Sequence, residues 1–113
     1  MSRDRECLID IINAAKRILR YTTNVSPIEL EANDEKLSAI LYQITIIGEA
    51  TKRLSEPFRQ KYSNIPWREM AGMRDIIVHK YDQLDLEVIW DVVNNKIPEL
   101  LELLKECIRD ADV

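Results

Sequence analysis

The chain holds one histidine, His79, and it stands in a stretch, MRDIIVHKYD, that also carries Arg74, Asp75, Lys80 and Tyr81. Arginine brings a permanent charge on a planar fork that matches phosphate oxygens, and histidine is the side chain whose ordinary pKa suits proton transfer near neutrality. Together they suffice for RNA cleavage without a metal. A base takes the proton of a ribose 2′-OH, the oxygen attacks the adjacent phosphorus as the bond from phosphorus to the 5′-oxygen breaks, and a cation stabilises the charge on the phosphoryl oxygens, leaving a cyclic phosphate and a 5′-hydroxyl. The spacing complicates this, because five residues at about 100° each place Arg74 and His79 roughly 140° apart on an ideal helix. Either the helix loosens near Val78 and the arginine reaches around it, or a second copy of the chain supplies the missing partners across a two-fold axis. A helix-end histidine near an arginine also serves as a cap or an ion-pair partner. Spacing by itself leaves catalysis open.

The elements that must position these residues read as helices throughout. Leu8, Ile11, Ile12, Ala15, Ile18 and Leu19 recur at three- and four-residue steps and predict a helix from about Arg3 to Tyr21. Ser26, Pro27 and Glu29 offer a cap, a first-turn proline and a capping-box acid for one short turn in the connector that follows. A second stripe, Leu37, Ile40, Leu41, Ile44, Ile47, Gly48, Thr51 and Leu54, predicts a helix from Asp34, and the glycine inside it is best explained by another helix backbone packed close against it. Ser55-Glu56-Pro57 opens a short helix to Tyr62, and Asn64-Ile65-Pro66 opens the one that bears the chemistry, with Trp67, Met70, Met73 and Ile77 on its packing side. After a turn over residues 81–85 a last stripe runs from Leu86 through Ile89, Val93, Ile97, Leu100 and Leu104 to Ile108, kinked near Asn94 and Asn95 because Pro98 clashes with the carbonyl of Asn94. The expected fold is all-α, an up-and-down bundle of four to five helices over residues 1–113 as one domain.

Charge and composition narrow the classes. The net charge of −4 argues against a general nucleic-acid binder, but residues 51–80 carry seven basic and three acidic side chains, while residues 81–113 carry three and nine. The middle third is the one candidate surface for a polyanion, although basic and acidic faces that merely alternate in solvent would give the same count. No apolar run approaches the roughly 20 residues a bilayer requires, and MSRDRECLIDII mixes charges ahead of any apolar stretch, so a cytoplasmic protein with no membrane association is expected. Cys7 and Cys107 fall inside helical stripes and read as core or interface thiols. One histidine and two cysteines at no ligand spacing build no ordinary zinc site, and no cofactor is implied.

Arg74, four intervening residues, His79, one residue and Tyr81, as RDIIVHKY, resemble the signature of HepT-like HEPN proteins, the toxins paired with a minimal nucleotidyltransferase (MntA-like) antitoxin. The likeness extends over IIGEATKRLS at residues 46–55 and IPWREMAGMRDIIVHKYDQLDLEVIWDVV at 65–93. The resemblance implies a helical homodimer whose signature segments, with the helix of Gly48, face their copies across a cleft. Arg74 and His79 of both subunits would form a metal-independent endoribonuclease site there, as the toxin of a type VII toxin–antitoxin system. It also implies that the antitoxin silences the toxin by transferring AMP to the Tyr81 hydroxyl, and that RNA rather than DNA is the substrate. Asp75 matches a polar position that would orient Arg74 or His79, or else it is a solvent-facing acid. Glu49 is a partner for a basic residue of the signature, or a polar residue at a helix interface. Lys80 completes the supporting set.

Two other readings use the same residues. A non-catalytic HEPN subunit would hold a nucleotide or a nucleotidyltransferase in the cleft through Arg74. A plain helical dimerisation module would bury Arg74 and His79 and satisfy them against each other.

Overall fold

The computed structural model describes residues 2–111. Helix α1 (Ser2–Tyr21) begins with Asp4 in its first turn and ends with Arg20 in its last, each charge placed to suit its end of the helix dipole. It buries Leu8, Ile11, Ala15 and Ile18 completely. The connector holds α2 (Pro27–Ala32), where the Ser26 hydroxyl accepts from the Glu29 amide at 3.2 Å, as the capping residues predict. Helix α3 (Asp34–Arg53) starts on Asn33, whose side chain accepts from the Lys36 amide at 2.9 Å. Short α4 (Glu56–Lys61) starts on Ser55, and α5 (Trp67–Lys80) carries the signature. Pro66 caps α5 without a side-chain hydrogen bond, one position ahead of the first-turn place the sequence favours.

Tyr81–Gln83 form a single 3-10 turn, after which Asp85 caps α6 (Leu86–Asp91). The helix runs on through a π-helical segment, Val92–Lys96, into α7 (Ile97–Ala111). This segment is the kink expected near Asn94 and Asn95. Pro98 has no N–H for the Asn94 carbonyl, and the wider turn, in which the Ile97 amide reaches back to the Val92 carbonyl, makes room for its ring.

The long helices lie side by side. α3 packs against α1 on one side and α5 on the other, and α7 closes on α1. Four long rods, the last of them α6 running on into α7, and the short helices α2 and α4 therefore make an all-α bundle around one buried apolar cluster. The faces of α5 and α7 do not close on each other. Between them runs an open groove of about 600 Å³, floored by Ile44 and Ile47 and walled by Met70, Met73, Ile76 and Val88. Near α4, Trp67 is buried, its indole N–H donating to the Tyr62 carbonyl at 3.1 Å. Trp67, Met70, Cys7 and Cys107 are all core residues, as their places in the stripes predict. Burial raises the thiol of Cys7 and lifts that of Cys107 to about 11, so both stay protonated at neutral pH. No helix among the described residues is long and apolar enough to cross a membrane.

Candidate active site

Arg74 owes its place to Gly48. A methyl group added to Gly48 would run into the Cβ of Arg74, and would lie 3.0 Å from both the Arg74 Cγ and the Met70 carbonyl. Only a hydrogen at that position lets α3 and α5 come this close, and the arginine stem fills the space over the glycine. Close backbone packing at Gly48 is what the sequence predicts, and its partner is a helix of the same chain. The surface of Gly48 is thereby covered, so it is not free to meet a copy of itself.

The stem delivers the guanidinium into a row of charges on the α3–α5 seam. Arg74 Nε is shielded from solvent and stands in ion-pair contact with the Glu49 carboxylate, without hydrogen-bond geometry. Arg74 Nη1 donates to Asp75 Oδ1 at 3.2 Å, and the same oxygen accepts from Lys52 Nζ at 2.5 Å. The order along the seam is Glu49, Arg74, Asp75, Lys52, with alternating sign and a sum of zero. The Lys52 hydrogen bond first, and the Arg74 bond after it, hold the Asp75 carboxyl below its usual pKa. The Arg74 side chain is one-quarter exposed, and Nη2 meets no partner among the described residues, so the outer edge of the fork faces out. A guanidinium with Nη1 hydrogen-bonded to one carboxylate, Nε beside another and one edge open is arranged to take an anion of phosphate geometry.

His79 lies elsewhere on α5. The helix runs unbroken past Val78 and leaves the helical backbone region at Lys80, so the loosening near Val78 that would let Arg74 reach around does not occur. The imidazole is exposed and makes no hydrogen bond or ion pair among the described residues, and Lys80 is likewise exposed. Tyr81 opens the 3-10 turn just past the helix end and is 72% exposed, its hydroxyl free of any partner among the described residues. The structure thus brings Arg74, Asp75 and Glu49 together and leaves His79, Lys80 and Tyr81 open to solvent at the end of the same helix. Glu49 takes the ion-pair role, and Asp75 meets Arg74 rather than His79.

Lys52 is the member that residue reading overlooked. It falls three positions after Glu49, one helical step along the same face of α3, which was the signal available. Nothing in the sequence said that Asp75 would lie across from it.

The family described as "Ribonuclease HepT-like" matches residues 11–107. A protein of Methanocaldococcus jannaschii, provisionally named an RNase, is 35% identical over 108 residues, covering 96% of this chain and 89% of that one. Another provisionally named RNase, from Caldanaerobacter subterraneus, is 32% identical across 96% of this chain and 97% of its own length. A probable ribonuclease HepT of Thermococcus cleftensis is 34% identical over 96 residues, which is 85% of this chain and 87% of that protein. No solved structure matches the chain.

Proposed function

The chain belongs to the HepT-like ribonuclease family, and from that premise we propose that it is an RNA-cleaving toxin whose site is completed only when two copies meet. The observation that carries this reading is the seat of Arg74. An arginine fixed at its inner nitrogens by Glu49 and Asp75, with its outer edge open, is suited to stabilise charge on a phosphoryl oxygen. His79 would supply the base for the 2′-OH. Within one chain the two lie on different faces of a regular α5, so the reading takes the complementary partner from a second subunit. The open apolar groove beside α5, with Ile76 and Val88 about half exposed, is the kind of surface a homodimer buries.

In this reading the chemistry needs no metal, because the cation is the guanidinium and the base is the imidazole. The natural setting is a type VII toxin–antitoxin pair, in which a minimal nucleotidyltransferase silences the toxin by transferring AMP from ATP to the exposed hydroxyl of Tyr81, with pyrophosphate leaving. The added phosphodiester would sit near the end of α5 and oppose an incoming RNA backbone.

The test is cleavage of RNA by the purified protein with and without a chelator. Wild type should cut in both conditions and leave a cyclic phosphate. Arg74→Ala and His79→Ala should each lose at least about a hundredfold in rate while remaining folded. Wild-type rates in either variant, or a requirement for added magnesium, would sink the mechanism. The non-catalytic alternative, in which Arg74 holds a nucleotide, draws on the separation of His79 from Arg74 within the chain. It is the reading that survives if nucleotide binds and no RNA is cut.

A further inference from the structure

Asp75 Oδ1 is shared. It lies 2.5 Å from Lys52 Nζ and 3.2 Å from Arg74 Nη1, so the shorter of its two bonds goes to the lysine. Lys52 comes from α3 and Asp75 from α5, and the pair straddles the same seam that Gly48 holds closed. An aspartate beside an arginine, with nothing else to bind, closes onto the fork through two parallel N–H···O bonds. Here Glu49 already occupies Nε, and a second carboxylate drawn fully onto the fork would leave Arg74 between two anions with a local charge of −1. Such an arginine is a poor receiver for phosphate.

We propose that Lys52 is a positioning residue of the site: by holding Asp75 it keeps that carboxylate from clamping Arg74, and so leaves the outer edge of the guanidinium for an RNA phosphate. This rests on the ribonuclease reading above and adds a residue to it. Lys52 touches neither the attacking oxygen nor the leaving group. It acts through Asp75, by sharing its oxygen and by cancelling its charge. The Lys52 and Asp75 side chains are 38% and 48% exposed, so their bond contributes little to folding, and losing it should alter the site without melting the helix pair.

The experiment compares four proteins: Lys52→Met, Lys52→Arg, Asp75→Asn and the Lys52→Met/Asp75→Asn double variant. Lys52→Met leaves one uncancelled negative charge beside Arg74, and kcat/KM on a short RNA should fall roughly tenfold, chiefly through KM, with the pH profile unmoved. Lys52→Arg keeps the cation and should stay near wild type. The double variant removes the charge that Lys52 had cancelled, and should recover to the level of Asp75→Asn alone. A double variant that stays as weak as Lys52→Met would mean that Lys52 meets the RNA itself, and a Lys52→Met protein with unchanged kcat/KM would overturn the proposal outright. A second readout needs no RNA. The NMR signal of the Arg74 Nε–H should shift in Lys52→Met and return in the double variant, and an unmoved signal counts against the positioning role. If the wild type cuts no RNA the ribonuclease reading fails, while this signal still decides whether Lys52 sets the arginine.

Discussion

Gly48 and Arg74 occupy one another's space: the hydrogen of the glycine is what admits the arginine stem to the α3–α5 seam. Gly48→Ala should therefore cost about 1–3 kcal/mol by forced displacement, and should lower RNA cleavage by more than the lost stability explains, since the side chain displaced is Arg74. Gly72, on the groove side of α5, has open space where a Cβ would sit. Gly72→Ala should stabilise by roughly 0.5–1 kcal/mol through helix propensity alone. Urea titration of the two variants checks the contrast, and equal effects would contradict the packing described.

Arg74 and His79 lie five residues apart on one helix, α5, and under the proposed reading a site made of the two would draw them from different copies. Arg74→Ala and His79→Ala proteins, each inactive, should regain activity when co-refolded. In a random mixture half the dimers are mixed and each mixed dimer holds one intact site of two, so roughly a quarter of wild-type activity is expected. A mixture as dead as its components would place both residues of the site in one chain or require all four.

Two groups link stability to alkaline pH. Burial lifts Cys107 to about 11 and, with the hydrogen bond to Asp110, Tyr62 to about 12. In each case the unfolded chain gives up its proton first, near the ordinary values of 9 and 10. Their contribution is therefore complete below pH 9 and drains away as pH rises through 11 and 12. Melting temperature should be flat near neutrality and fall above about pH 9, with Cys107→Ala and Tyr62→Phe each flattening that fall. The slope of melting temperature against pH is the quantity to compare, since both substitutions also lower its starting value.

Tyr81, 72% exposed at the helix end, is open to an enzyme that modifies it. Co-expression with a nucleotidyltransferase antitoxin should add AMP-sized mass to the Tyr81 peptide alone, and Tyr81→Phe should escape silencing while still folding. An unmodified peptide, with the Phe variant still neutralised, would leave inhibition by plain binding as the better account.

The helices were legible because their signals are local. Ser26 and Ser55 cap where Pro27 and Glu56-Pro57 after them say they should, and each apolar stripe of period 3.6 became a buried face. The disturbance caused by Pro98 was legible too, from its missing N–H, though not the π-helical form it takes. Pro66 fell one place early, an ordinary error for a helix that begins in a tight turn. The site was legible only in part. RDIIVHKY gave the residues on α5, but the company Arg74 keeps depends on how α3 lies across it. The tie from Lys52 to Asp75 spans the seam between two helices and leaves no periodic trace.

The corner around α4 has a consequence for how the molecule loosens. Asp4, in the first turn of α1, receives both the amide and the hydroxyl of Ser55, at 2.8 and 2.7 Å, and Asp110, in the last turns of α7, receives the Tyr62 hydroxyl at 2.8 Å. Ser55 and Tyr62 bracket a helix of six residues. Helix ends ordinarily fray one at a time, each with its own small opening energy. Here the two outermost turns are clasped to one short element, so fraying at either end becomes a property of α4. Amide exchange in the first turn of α1 and in the final turns of α7, far apart in sequence, should then quicken together whenever α4 unwinds.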